Sequence, residues 1–137
     1  MTDYLTLVET LAIHEDQIER FGGAHGVRDL GQLEAALFRP QTGYYLDLIA
    51  QAAALWESLS QNHPFVDGNK RTAFAAMAAF LIINGVVLTA DAEECWNFLS
   101  KLYEAGALRF EPLERWLRLN ATGVGATSDP SKSRNAP

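Results

Sequence analysis

With 137 residues, 48% of them hydrophobic and 20% charged, the chain is long enough to bury one core and too short for two well-cored domains. A formal net charge of −6 and a pI near 4.9 exclude the broad basic face that general nucleic-acid binding demands. The single cysteine, Cys95, excludes an intramolecular disulfide and a cysteine-rich zinc site.

In chain order, Met1 to Tyr4 lead into an amphipathic pattern without the basic and apolar stretches of a secretory signal. From Leu5 to Phe21, Leu7, Leu11, Ile18 and Phe21 recur at helical spacing and His14 falls on the same stripe, which predicts a helix with that face inward. His14 reads as a hydrogen-bonded, partly buried histidine rather than a catalyst. Gly22 and Gly23 end the helix. Asp29 and Gln32 have the spacing of a capping box and open a short helix to about Phe38, stopped before Pro40. Gln41 to Tyr45 reads as a loop.

A stronger helix is expected from Leu46 to Gln61, with Ile49, Ala52, Ala53, Trp56 and Leu59 on its inner side. After a polar loop, the segment from Lys70 to Ile83 is apolar all round and should be a central pillar enclosed by other helices. Its eleven-residue apolar run, Ala73 to Ile83, is the longest in the chain and falls short of the roughly 20 residues that span a bilayer. A soluble, cytoplasmic protein is the expectation. Asn84 and Gly85 end the pillar, and Val86 to Leu88 form a short apolar connector.

Asp91 and Glu94 offer another capping box, for a helix to about Tyr103 with Cys95, Leu99 and Leu102 inward; Cys95 reads as a core residue in a reducing compartment. Gly106 breaks that helix. Pro112 suits the first turn of a last one, to about Asn120, with Leu113, Trp116 and Leu117 inward. The expected architecture is all-α: a bundle of about six helices around a central buried helix, spanning residues 1–120. Residues 121–137, rich in Gly, Ser, Thr and Pro, are expected to be a disordered tail.

The chemistry concentrates in the loop ahead of the pillar, His63-Pro64-Phe65-Val66-Asp67-Gly68-Asn69-Lys70-Arg71. The first N–H groups of a helix lack internal partners and sit at the positive end of its dipole, so the junction suits a phosphate, and Lys70 and Arg71 add to the pull. Each residue also has a plain reading. His63 can cap the preceding helix, Asp67 and Gly68 can form a turn, and the cations can be a solvated edge.

The whole string resembles the signature of the Fic/Doc family, and within it the Doc branch of toxin–antitoxin toxins. The Fic branch has Gly-Asn-Gly-Arg with a second arginine three residues on; this chain has Lys70 in place of that glycine and Phe74 in place of that arginine. Phe21-Gly22-Gly23, Gly26-Val27-Arg28-Asp29, Leu33-Glu34-Ala35-Ala36-Leu37 and Arg39-Pro40 also look like Doc sequence, so the similarity runs from about residue 5 to about residue 120. The resemblance implies that His63 is the general base, that Asp67 binds Mg²⁺, and that Gly68 and Asn69 form an anion hole for ATP phosphates. Lys70 and Arg71 would neutralise the remaining charge. Each role suits its side chain: imidazole can accept a proton near neutral pH, a carboxylate is a hard ligand for Mg²⁺, and glycine lets backbone approach phosphate.

The resemblance further implies a protein kinase that moves the γ-phosphate of ATP to a hydroxyl of translation elongation factor Tu, with Tyr44 and Tyr45 in a flap lining the target groove. Those tyrosines can equally pack on a helix start. The alternatives are a Fic-type AMP transferase, against which Lys70 and Phe74 argue, and an inactive helical binding module. The self-inhibiting pattern Ser/Thr-x-x-x-Glu-Gly/Asn has its nearest counterpart at Thr89 to Glu94, which ends in Glu. The resemblance implies control instead by an antitoxin whose C-terminal segment folds into a groove beside the active site.

Overall fold

Local capping sets where most of the helices start. The computed structural model describes residues 1–123. Its first helix, α1 (Leu7–Phe21), starts at Thr6, whose hydroxyl accepts the Glu9 N–H while the Glu9 carboxylate accepts the Thr6 N–H. Asp29 accepts the Gln32 N–H and opens α2 (Leu30–Phe38), which runs into a 3-10 turn at Arg39–Gln41. Asp47 does the same for α3 (Leu48–Gln61) through the Ala50 N–H, and is also gripped by Arg118 at 3.1 and 3.2 Å. The central helix α4 (Asn69–Ile83) begins at Gly68 with no side-chain cap. The Asp91/Glu94 capping box opens α5 (Ala92–Ala105), which Gly106 ends at φ 64, and α6 (Phe110–Asn120) follows.

The expected all-α bundle is present. The most extensive helix pair is α3 against α4, and alanine on both (Ala52, Ala53, Ala73, Ala76) lets the two backbones come close. Trp56 lies at their centre, 1% exposed, edge-on to Phe74 at 5.5 Å and to Trp116 of α6 at 5.8 Å. Arg39 ties the 3-10 turn to α3, donating to Glu57 at 2.8 Å and to the Ser58 hydroxyl at 2.8 Å, while the other Glu57 oxygen accepts the Phe110 N–H.

Four expectations are corrected. Ala121–Gly123 is not tail but a strand, β2, antiparallel to β1 (Val86–Leu88) with Val87 opposite Thr122. The apolar connector offers a free edge, and the chain leaving α6 takes it up; residues 124–137 of the expected tail lie outside the described residues. Phe21, expected inward, is 65% exposed, because it faces an open groove between α1, α4 and α5 rather than a filled core. Ile82 and Ile83, at the far end of the pillar, are also exposed. Cys95 is only half-buried; even so, burial and then the nearby Asp91 and Glu94 push its thiol above the ordinary range, which disfavours a reactive thiolate. The Thr89 to Glu94 stretch serves as strand end and helix cap. No helix among the described residues is long and apolar enough to cross a membrane.

Candidate active site

The polar corner is held by elements on either side of it. α3 ends with Asn62 as its C-cap, and His63 follows at φ 49, a left-handed conformation that glycine usually supplies after a helix. The plain reading of His63 as a helix-ending residue is therefore correct for its backbone, while its ring stays exposed and lines a surface depression. Phe65 and Val27 form an isolated antiparallel bridge. Asn69 turns its side chain back onto the loop: its Oδ1 accepts the Phe65 N–H at 2.9 Å and its Nδ2 donates to the Phe65 carbonyl at 3.0 Å. Its side chain is thus a clamp on the loop, and its backbone N–H at the start of α4 is left for an anion.

His14 reaches the same loop from α1. It is 3% exposed, stacks parallel on Phe65 with ring centroids 3.9 Å apart, and donates Nε2–H to the Asp67 carbonyl at 2.9 Å. The sequence reading of a buried, hydrogen-bonded histidine holds. What it missed is the partner, 53 residues away, to which no local pattern points.

The Asp67 carboxylate is exposed and accepts two backbone N–H groups, that of Ala24 at 3.1 Å and that of Gly68 at 2.9 Å. These bonds, Ala24 first, hold its pKa below the usual carboxylate range. Gly23 is required beside it: at φ 117, a Cβ there would lie 2.8 Å from Asp67 Oδ2. Each oxygen retains an unused lone pair, so the group suits Mg²⁺ in the manner of sites that offer one carboxylate and leave the rest to phosphate and water. Among the described residues Asp67 belongs to no cluster of three metal-ligating side chains; that geometry occurs only at the exposed Glu15, Glu19 and His25. A metal at Asp67 would thus depend on nucleotide phosphates for further ligands.

Gly68, at φ 72, opens α4 and leaves the first-turn N–H groups of Asn69, Lys70 and Arg71 without a side-chain cap. Arg71 lies over Gly68, where a Cβ would meet its Nη2 at 3.1 Å, and donates to the carbonyls of Gly22 at 2.9 Å and Gln17 at 3.4 Å. Its charge stays at the corner although its donors are largely engaged with the end of α1. Lys70 has no carboxylate partner among the described residues; its ammonium sits over the Tyr103 ring at 5.3 Å, and burial raises the Tyr103 pKa and keeps that ring neutral.

Three depressions meet at Lys70. One of about 330 Å³ is lined by His63 and by Val66 to Arg71. A second, of about 370 Å³, is lined by Ser60, Gln61, His63, Lys70, Tyr103 and Arg109, among others. The third is an apolar groove of about 560 Å³ between α1, α4 and α5, with Phe21, Phe74, Trp96 and Tyr103 in its walls and Lys70 and Arg71 at its rim. Phe74 thus puts a groove wall where the Fic pattern has a cation. Tyr44 and Tyr45 lie elsewhere: Tyr45 accepts a hydrogen bond from Arg39 and packs on Phe110, Tyr44 is 80% exposed, and their depression contains no signature residue.

A helical bundle whose central helix opens on this signature, with imidazole, carboxylate and uncapped helix N-terminus around one depression, defines a fold and site of the Fic/Doc type. The Fic/DOC family model matches residues 4–81, and the chain belongs to that family. Toxin Doc of Mycolicibacterium smegmatis is 51% identical over 96 residues, covering 66% of this chain and 72% of that protein. Protein kinase doc of Escherichia phage P1 is 37% identical over 82 residues, 57% of this chain and 65% of the phage protein.

Proposed function

We propose that this chain is a Doc-like toxin, a protein kinase that moves the γ-phosphate of ATP to a Ser or Thr hydroxyl of a translation factor in the cytoplasm and so blocks translation. Elongation factor Tu is the target by resemblance. The observation that carries the reading is that His63 and Lys70 line both polar depressions. A donor phosphate on the uncapped α4 N-terminus and a hydroxyl arriving from the second depression would meet at that shared edge.

In this reading His63 takes the hydroxyl proton as the oxygen bonds to the γ-phosphorus, and the bond from phosphorus to the β–γ bridging oxygen breaks to release ADP. The N–H groups of Asn69 to Arg71 bind the phosphate oxygens, while Lys70 and Arg71 offset the charge that builds there. Asp67 would hold Mg²⁺, which supplies charge neutralisation between phosphates when bound. Lys70 at the helix start, and Phe74 where the Fic pattern has its second arginine, favour γ- over α-phosphate transfer.

The apolar groove supports a second part of the proposal, a cognate antitoxin that folds an amphipathic C-terminal segment into it. Phe21 and Trp96, 65% and 64% exposed, present apolar area to such a segment, and Lys70 and Arg71 at the rim favour one carrying carboxylates. Occupation of the groove would reach Lys70 directly.

The kinase reading is tested by incubating the chain and elongation factor Tu with ATP labelled at the α- or the γ-phosphate. Label reaching the factor from the γ-position alone is the expected result. Transfer of α-label would make the chain an AMP transferase, and absence of transfer from either position would favour a binding module.

A further inference from the structure

Arg28 lies outside the signature, in the loop between α1 and α2, yet it holds three consecutive carbonyls of the signature loop. Its Nη2 donates to the Asn62 carbonyl at 2.9 Å, its Nε to the His63 carbonyl at 2.6 Å, and its backbone N–H to the Pro64 carbonyl at 2.8 Å, which the Asp29 N–H joins at 3.0 Å. The Val66 N–H in turn donates to the Gly26 carbonyl at 3.0 Å. These carbonyls stand at the end of α3, where helix acceptors lack internal partners and a cation is favoured by the dipole. They also flank the one non-glycine residue at positive φ among the described residues, His63.

A residue in a sparsely populated backbone region stays there only when its surroundings over-determine it. Asn62 and Pro64 are pinned on either side of His63, and the His63 carbonyl itself is pinned, so the direction of its Cα–Cβ bond is fixed. The ring, by contrast, is exposed and has no hydrogen-bond partner among the described residues. The geometry points to Arg28 as a positioning residue: its guanidinium fork holds His63 in the left-handed conformation that aims the imidazole at the phosphate-binding corner. A lysine has the charge but lacks the planar fork that engages two carbonyls together. This inference rests on His63 being the base of the transfer reaction.

The test measures γ-label transfer to elongation factor Tu by wild type, Arg28→Ala, Arg28→Lys and His63→Ala, with thermal melts and amide hydrogen exchange on each. Arg28→Ala is expected to lower kcat at least tenfold with KM for ATP within about threefold, to regain rate when guanidinium ion is added at non-denaturing concentration, and to melt as one folded species. Exchange at Phe65 and Val66 should rise at least tenfold while the interior of α4 keeps its protection. Arg28→Lys should fall between the two in rate, and it substitutes for Arg28→Ala if the latter does not fold. Unchanged kcat in folded Arg28 variants, or a lower melting temperature with no change in kcat, would overturn the proposal. Undiminished transfer by His63→Ala would instead overturn the reading of His63 as base. Should the wild type transfer no label, exchange at Phe65 and Val66 decides the Arg28 contacts, and unchanged exchange sinks them.

Discussion

Alanine at position 63 lowers kcat for phosphoryl transfer by about 10³-fold, within the roughly 10²–10⁴ that a positioned acid–base group contributes, and leaves the protein folded. The His63 ring is exposed, so its loss removes little packing. A second variant separates chemistry from folding. Because His63 stands at φ 49 just after α3, a non-glycine residue there carries a backbone cost on the order of 1 kcal/mol. His63→Gly should therefore melt at least as high as wild type and be as inactive as His63→Ala. A stabilised but dead enzyme cannot be explained by unfolding, whereas a His63→Gly protein with wild-type turnover would remove the histidine from the mechanism. The measurements are steady-state kinetics and a thermal melt on the same preparations.

Asp67→Asn is the second large effect: kcat/KM for ATP with Mg²⁺ falls by about 100-fold, the scale of losing a preorganised electrostatic group from such a site. An amide keeps one oxygen acceptor, but it turns an NH₂ group toward either the Ala24 or the Gly68 N–H, so it also loosens the loop. The pH behaviour of the wild-type carboxyl follows from those two bonds. They stabilise the ionised form, and a folded-state pKa below the unfolded value means that the contribution is complete above the ordinary aspartate pKa, about 3.9. It is lost only as pH falls through the depressed value. A side-chain carboxyl ¹³C titration should therefore show Asp67 charged through the whole neutral and mildly acidic range, with its midpoint below that of an ordinary aspartate. A midpoint at or above the ordinary value, or an Asp67→Asn enzyme with unaltered kcat/KM, would contradict the assigned role.

Much of this site is legible in the sequence because it is contiguous. Nine adjacent residues supply the imidazole, the carboxylate, the left-handed glycine and both cations, and local rules tie that string to a helix N-terminus. The Asp29 and Asp91 caps are legible for the same reason, since donor and acceptor are three residues apart. The Thr6/Glu9 box and the Asp47 cap have equally local signals and set the true starts of α1 and α3, each a little later than hydrophobic spacing alone implies.

What spacing does not show is the support around the string. His14 meets the Asp67 carbonyl across 53 residues, Arg28 meets that of His63 across 35, and Ala24 meets the Asp67 side chain across 43. Each is a tertiary contact with no periodic signature. The pairing of Val86–Leu88 with Ala121–Gly123 was hidden likewise, since low-complexity composition after Asn120 reads as tail until a free strand edge is placed beside it. The exposure of Phe21 is not legible because helical spacing gives a face but not whether the space that face meets is filled or left as a groove. Phe21 and Trp96, both exposed aromatic residues, wall the groove assigned to a partner.

The central claim is that nucleotide phosphate sits on the uncapped start of α4 beside His63, and the most direct measurement is a two-dimensional amide NMR titration with ATP and Mg²⁺. The backbone amides of Asn69, Lys70 and Arg71 should show the largest shifts, accompanied by the His63 ring and diminished in Asp67→Asn. Saturating nucleotide that leaves those three amides unmoved, or moves only resonances elsewhere on the surface, would contradict the account.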